Sequence, residues 1–240
     1  MTDFLFHTNS YLKTNDTVII DIIENTGLVL ENTVFYPGGG GQPSDLGTIN
    51  TNSKYLSVIK VQSKNGVIIH WLDQKNHGCS IGDLVTTQID WDRRYKLMRT
   101  HTALHILCGV VWRDYKAQVT GGDMQIETAR MDFEFDHITS EFAQEIEKTI
   151  NDEVNQNRDI KVDFLTREAA DNIPDLIRTK VNLLPDSIKV IRTINIEGLD
   201  LQADGGTHVA NTGEVGRIRI TGHESKGKIN KRLRIAIDSL

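Results

Sequence analysis

Two cysteines in 240 residues, Cys79 and Cys108, cannot build a disulfide framework, so reduced thiols are the default. No apolar run approaches the length needed to cross a bilayer. The start, Met-Thr-Asp-Phe-Leu-Phe-His, lacks the basic and apolar regions of a secretory leader, which gives a cytoplasmic expectation. An excess of positive charge is also missing. With 27 bases against 33 acids the net charge is -6, which argues against indiscriminate nucleic-acid binding while leaving local patches open. Low complexity is confined to one glycine run, and 38% hydrophobic with 25% charged residues is ordinary for a globular chain.

The length exceeds the common single-domain size and favours two domains, with a boundary expected between residues 91 and 92. From Thr17 to Trp91 the pattern is short alternating or β-branched runs broken by turn residues. Strands are predicted over Thr17–Ile23, Gly27–Tyr36, Tyr55–Gln62, Val67–Leu72 and Leu84–Trp91, with Asn65-Gly66 as a hairpin turn. A small barrel or sandwich fits residues 1–91. After Asp92, read as a helix N-cap, the period changes to about 3.6 and runs to about Arg113, Leu97, Leu104, Leu107 and Val111 forming an apolar stripe. Gln118 to Phe135 is strand-like, and Phe142, Ile146, Ile150 and Val154 mark a second helix. A strand over Ile160–Leu165, a short helix from Arg167 and strands near Lys189–Ile196, Val215–Ile220 and Leu233–Ile237 follow. Residues 92–240 are therefore expected to be an α+β domain with helices packed on an antiparallel sheet.

Two histidine clusters carry the chemistry. His101 and His105 stand four apart on the first predicted helix, so both imidazoles can face one ion. Far along the chain, Asp204-Gly205-Gly206-Thr207-His208 offers a carboxylate and a third imidazole around a tight glycine turn. Alone, the helical pair is equally a pair of capped, solvated or core histidines; the two clusters together point to one Zn2+ held by His101, His105, Asp204 and His208. A metalloprotease helix needs glutamate directly after the first histidine, and Thr102 stands there, so metal-assisted hydrolysis of another bond is the leading reading. Cys108 lies seven residues from His101, a rise of about 10.5 Å that one ion rarely bridges, and reads as a core thiol. His7, His70, His77, His137 and His223 have no partner at ligand spacing.

Three further features bear on substrate. The run Tyr36-Pro37-Gly38-Gly39-Gly40-Gly41-Gln42-Pro43 could bring backbone amides of Gly39, Gly40, Gly41 and Gln42 close to an anion, or be a flexible turn between strands; it lacks the lysine of a P-loop. Arg93, Arg94, Lys96 and Arg99 precede His101, and Lys226, Lys228, Lys231, Arg232 and Arg234 form a run free of carboxylates. Both could lie along phosphates, or be solvated faces.

The segments FYPGGGGQPSDLG, RTHTALHIL, QVTGGDMQIETARMDF, DGGTHVANTGEVG and KGKINKRLRI, in this order and spread over nearly the whole chain, resemble the alanyl-tRNA editing domain found inside alanyl-tRNA synthetases and as free-standing AlaX proteins of medium length. The resemblance implies a small β-barrel followed by the editing domain shared with threonyl-tRNA synthetase, one zinc per chain, and deacylation of tRNA(Ala) mischarged with serine and, as a second substrate, glycine. In the family the second motif usually reads CGGTH; here Asp204 takes the cysteine position, as a harder ligand or as a group that orients His208 or a water. Gln118 and Thr120 align with the pocket-lining strand and are the implied partners for the serine hydroxyl, against a plain role in strand-surface hydrogen bonding. No side chain in the motifs is placed as a nucleophile, which favours direct attack by water. Arg99, Lys228 and Arg232 are the expected contacts to tRNA. The alternatives are a tRNA-binding module whose metal is structural or lost, and a hydrolase of a small metabolite ester, which would leave the basic runs without purpose. No membrane partner is expected, and a monomer is the default.

Overall fold

The structure is a computed structural model that describes residues 2–51, 54–180 and 188–239. The chain divides into two units, Met1–Tyr95 and Lys96–Leu240. The first holds β1 (Asp3–Phe4), α1 (Leu5–Thr8), β2 (Thr14–Ile23), β3 (Gly27–Leu30), β4 (Asn32–Thr33), β5 (Gly47–Asn50), β6 (Tyr55–Lys64), β7 (Val67–Leu72) and β8 (Leu84–Ile89). Six of these strands close a barrel in the order β2-β3-β7-β6-β5-β8, and the short β1 and β4 pair beside it. The alternation in β8, where Val85, Thr87 and Ile89 are buried and their neighbours are not, shows why the period-2 runs fold this way. Their inward residues meet Phe6, Ile19, Leu28, Leu30, Phe35, Ile49, Leu56 and Ile68 in one apolar core. Asn65 and Gly66 take φ of 51° and 78° in the β6–β7 turn, as the hairpin reading requires. The predicted strand over Gly27–Tyr36 is instead broken into β3 and β4, and β5 is a strand that short, half-buried Gly47–Asn50 did not announce.

Deep in this unit Asp45 and Arg94 are both fully enclosed. Arg94 Nε donates to both Asp45 oxygens at 2.9 and 3.1 Å, and its remaining nitrogens reach Asp45, Ser10 O and Val34 O. Arg94 thus belongs to the barrel's internal hydrogen bonding, not to an exposed basic patch.

Helix α2 (Trp91–Tyr115) carries the chain onward. Its cap is Asp90, not the expected Asp92: Asp90 Oδ1 accepts from Arg93 N at 3.1 Å and Asp90 O from Arg94 N at 3.0 Å. Every residue from Leu97 to Val111 is buried, so the helix is enclosed on all sides where the sequence suggested one apolar stripe.

The second unit continues with β9 (Val119–Gln125), β10 (Thr128–Glu134), α3 (Ser140–Asn155), β11 (Ile160–Thr166), α4 (Arg167–Asp171), β12 (Val190–Ile196), β13 (Asp200–Ala203), a 3-10 turn (Thr212–Val215), β14 (Ile218–Ser225) and β15 (Asn230–Ile237). The strands form a four-stranded antiparallel sheet, β14-β15-β10-β9, and a three-stranded one, β11-β12-β13. Helix α3 is capped by Thr139, whose hydroxyl accepts from Phe142 N, and buries Ala143, Ile146, Ile150 and Val154. The predicted strand from Val215 starts three residues later, because Thr212–Val215 closes as a 3-10 turn under Asn211. The fold is α+β. No described helix is long and apolar enough to cross a membrane.

Candidate metal centre

Helical spacing sets the first two donors: the His101 and His105 rings lie 5.2 Å apart, centroid to centroid. The loop after β13 brings the others. Asp204 N donates to Arg192 O at 3.1 Å and Arg192 Nη1 to Asp204 O at 2.8 Å, which fixes this residue against β12. Gly206 N then donates to Asp204 Oδ2 at 2.6 Å, turning the chain so that His208 comes back over the helix. The His208 ring centre is 4.3 Å from that of His101 and 4.7 Å from that of His105. His208 Nε2 lies 3.1 Å from Asp204 Oδ2, and His101 Nε2 3.6 Å from Asp204 Oδ1.

One ligand atom from each of His101, His105, Asp204 and His208 falls within 4.8 Å of all the others. A tetrahedral zinc with bonds of about 2.0–2.1 Å separates its ligands by roughly 3.4 Å, a contraction that small side-chain rotations supply. Three imidazoles and one carboxylate are also an appropriate donor set for zinc and other borderline divalent ions. The residues fit such an ion.

The second nitrogens of two rings are held by groups outside the four donors. His105 Nδ1 donates to Asp200 Oδ2 at 3.0 Å, and His208 Nδ1 lies 3.2 Å from Thr102 Oγ1, which also accepts from Val209 N at 3.3 Å. His105 therefore presents Nε2 to the centre, its Nδ1 proton being taken by Asp200, and His208 turns its Nε2 towards Asp204. Burial drives the His101 pKa down to about 4, against the pull of Asp204, and holds His208 well below its ordinary value. For His105 burial acts in the same sense but is outweighed by Asp200, and its pKa is raised. Asp204 is held well below the usual carboxylate range: burial opposes its charge, but the three imidazoles outweigh it. Near neutral pH His101 and His208 offer neutral imidazoles and Asp204 an anionic carboxylate, the protonation states that coordination needs, while Asp200 favours the proton on His105.

Asp200, Gln202 and Arg178 were not singled out from sequence. A signal was there: Asp200, Gln202 and Asp204 are spaced by two, which places the first two on one face of β13 and leads to the third. Thr102, noted only as the residue that excludes a metalloprotease, is the hydroxyl that holds His208 and Val209.

The other expected residues lie on other elements. Gln118 is half-buried just before β9, and Thr120 is exposed, its hydroxyl donating to Asn230 Oδ1 at 2.8 Å. In the barrel unit, Gly39 and Gln42 exchange N–H···O bonds of 3.1 and 2.9 Å around Gly40 and Gly41, whose φ of 56° and 88° only glycine adopts freely. The glycine run is thus a closed turn that consumes two of its four amides, and Gln42 is buried. Arg99 is a correction: its guanidinium is fully buried and donates to Glu214 O, Val215 O and Asp238 O, so it ties the 3-10 turn and the chain's last strand to α2 and has no face for a phosphate. Arg232 is largely spent as well, with a two-pronged pair to Asp132 at 2.7 and 2.8 Å and Glu224 at 3.6 Å. Lys228 is exposed in the β14–β15 turn. Cys108 is buried, and burial beside Asp200 raises its thiol pKa well above the ordinary value, in keeping with a core thiol.

Fold and site together define an α+β protein with a β-barrel unit and a second unit built around a helix that supplies half of a four-donor centre. Residues 8–93 match the family described as tRNA synthetases class II (A), and residues 191–234 match the threonyl and alanyl tRNA synthetase second additional domain. The alanyl-tRNA editing protein AlaX-M of Methanosarcina barkeri is 35% identical over 237 residues, covering 97% of this chain and 98% of that protein. AlaX-M of Saccharolobus solfataricus is 37% identical over 235 residues, again 97% and 98%. The alanine–tRNA ligase of Pyrococcus furiosus is 34% identical over 222 residues, which are 91% of this chain but 24% of the ligase. The chain belongs to the AlaX-M family of alanyl-tRNA editing proteins.

Proposed function

We infer that this protein is a trans-editing hydrolase: it deacylates mischarged tRNA(Ala), with seryl-tRNA(Ala) as the main substrate and glycyl-tRNA(Ala) as a second. The observation that carries the reading is the convergence of His101, His105, Asp204 and His208 in a chain that matches editing proteins over almost its entire length. The bond broken joins the amino-acid carbonyl to a ribose oxygen of the terminal adenosine; water supplies the hydroxyl, and free amino acid and tRNA leave. A zinc ion held by these four residues supplies Lewis acidity at that ester.

The chain's own groups have separate tasks. His101 and His208, kept neutral by burial, and His105, oriented by Asp200, give lone pairs, and Asp204 contributes the negative charge that cysteine gives in the usual motif. Serine differs from alanine by one hydroxyl. A site with a polar group awaiting it leaves that group unpaired when alanine enters, which shape alone cannot achieve with a smaller residue. Gln118 is assigned that role, with Thr120 as its neighbour. The exposed turn at Gly40 and Gly41 is assigned to contact with a phosphate, and Lys228, separately, to the same kind of contact.

The test is deacylation of seryl-, glycyl- and alanyl-tRNA(Ala) by the wild type and by Asp204→Ala, with zinc quantified in each preparation. Hydrolysis of the first two but not the third, and loss of both zinc and activity in the variant, support the reading. Tight tRNA binding without turnover by zinc-loaded protein would refute it.

A further inference from the structure

Among the described residues, the most enclosed carboxylate of the second unit lies outside the four donors. The Asp200 side chain is fully buried. Its Oδ2 accepts from His105 Nδ1 at 3.0 Å and from Gln202 Nε2 at 2.6 Å, and its Oδ1 stands 3.6 Å from Arg178 Nε. A buried ion pair contributes little net stability compared with well-packed apolar side chains, so this arrangement calls for another reason.

Its placement is built in from both sides. Gly109 follows His105 by four residues, on the same face of α2. A Cβ at Gly109 would stand 2.9 Å from Leu199 Cγ and 3.0 Å from Asp200 Cβ, so the missing side chain is what lets the β12–β13 turn rest against the helix beside His105. That turn is closed by Gly198 at φ 76°. On the far side, Arg178 lies over the Trp112 ring at 4.8 Å, and its main chain is laid along the start of β9: Val119 N donates to Arg178 O at 3.0 Å and Lys180 N to Val119 O at 2.9 Å. Val119 sits between Gln118 and Thr120.

We propose that Asp200 is a positioning residue of the editing centre, fixing His105 as an Nε2 donor and, through Arg178, tying that donor to the strand that carries Gln118 and Thr120. The proposal rests on the reading of the four donors as a metal site. Asp200 supplies what a coordinating imidazole needs at its second nitrogen: an acceptor that sets ring orientation and raises donor strength. Arg178 balances the buried charge, so a movement of the 178–180 segment with β9 is felt at His105.

The experiment measures zinc affinity of the full chain by competition with a chromophoric chelator, and the visible spectrum of the cobalt-substituted protein, in wild type, Asp200→Asn, Asp200→Ala, Arg178→Ala and the double variant Asp200→Ala/Arg178→Ala. Melting of the metal-free proteins is the control for folding. Asp200→Ala should lose roughly 10- to 100-fold in zinc affinity and shift the cobalt bands. Asp200→Asn, whose amide oxygen still accepts from Nδ1, should lose less. Arg178→Ala should weaken zinc in the wild-type background and add little once Asp200 is gone. Wild-type affinity and cobalt spectrum in folded Asp200→Ala would overturn the proposal, and additive losses in the double variant would sever the link through Arg178. If Asp200→Ala does not fold, wild-type affinity and spectrum in Asp200→Asn overturn it instead. Failure of the wild type to bind zinc would remove the metal reading itself, a result distinct from all of these.

Discussion

Acidification should loosen the barrel through one histidine that has no part in the metal centre. His70 on β7 is fully buried; its Nδ1 donates to Leu28 O at 3.0 Å, and Thr33 Oγ1 donates to its Nε2 at 2.8 Å. Burial strips hydration from the charged form and lowers its pKa from 6.5 to about 4, the Leu28 carbonyl recovering only part. Between those two values the unfolded chain binds a proton that the folded barrel excludes. Stability is therefore fully present above about pH 6.5 and falls as the pH drops towards about 4. The whole window is worth roughly 3 kcal/mol, and the part between about pH 7.5 and about pH 5 roughly 2 kcal/mol. The assay is equilibrium denaturation at those two pH values for wild type and His70→Leu, because the buried imidazoles of the metal centre titrate in both and cancel in the difference. The wild type should lose about 2 kcal/mol more than His70→Leu on acidification. A His70 ring titrating at or above about pH 6 by NMR, or equal pH dependence in the two proteins, would refute the reasoning.

Other outcomes are equally definite. Arg94→Ala leaves the Asp45 carboxylate enclosed without its cation and should cost the barrel about 3–5 kcal/mol by denaturant titration, whereas a loss under about 1 kcal/mol would mean the pair is dispensable. Gly109→Ala sets a helix-propensity gain of about 1 kcal/mol against overpacking of about 1–3 kcal/mol on Leu199 and Asp200, so stability should change little or fall modestly while chelator competition shows weaker zinc binding; unchanged affinity counts against the docking of Asp200 on this glycine. Gln118→Ala should slow seryl-tRNA(Ala) hydrolysis roughly tenfold with zinc content intact, the equivalent of one hydrogen bond of about 1.4 kcal/mol, and an unchanged rate takes Gln118 out of the pocket.

What the sequence determined is what short-range geometry controls. Four-residue spacing puts His101 and His105 on one helical face whatever surrounds the helix, alternation makes the barrel strands, and Asn65-Gly66 accepts the positive φ of its turn. The glycine-rich loop carrying Asp204 and His208 was legible as the partner cluster because its chemistry is complementary to the helical pair. What tertiary structure decided is the fate of charge. Arg94, Arg99 and Arg232 read as a basic surface in a linear count, yet each donates its hydrogen bonds to a carboxylate or to carbonyls 49 to 139 residues distant. In the same way the spacing of Asp200 from Gln202 and Asp204 names no partner for it, and it acquires His105 from 95 residues away only when β13 is laid on α2 at Gly109. Enclosure of α2 on every side is likewise invisible to periodicity, since a polar helix residue is buried only if remote segments bring it a hydrogen-bond partner.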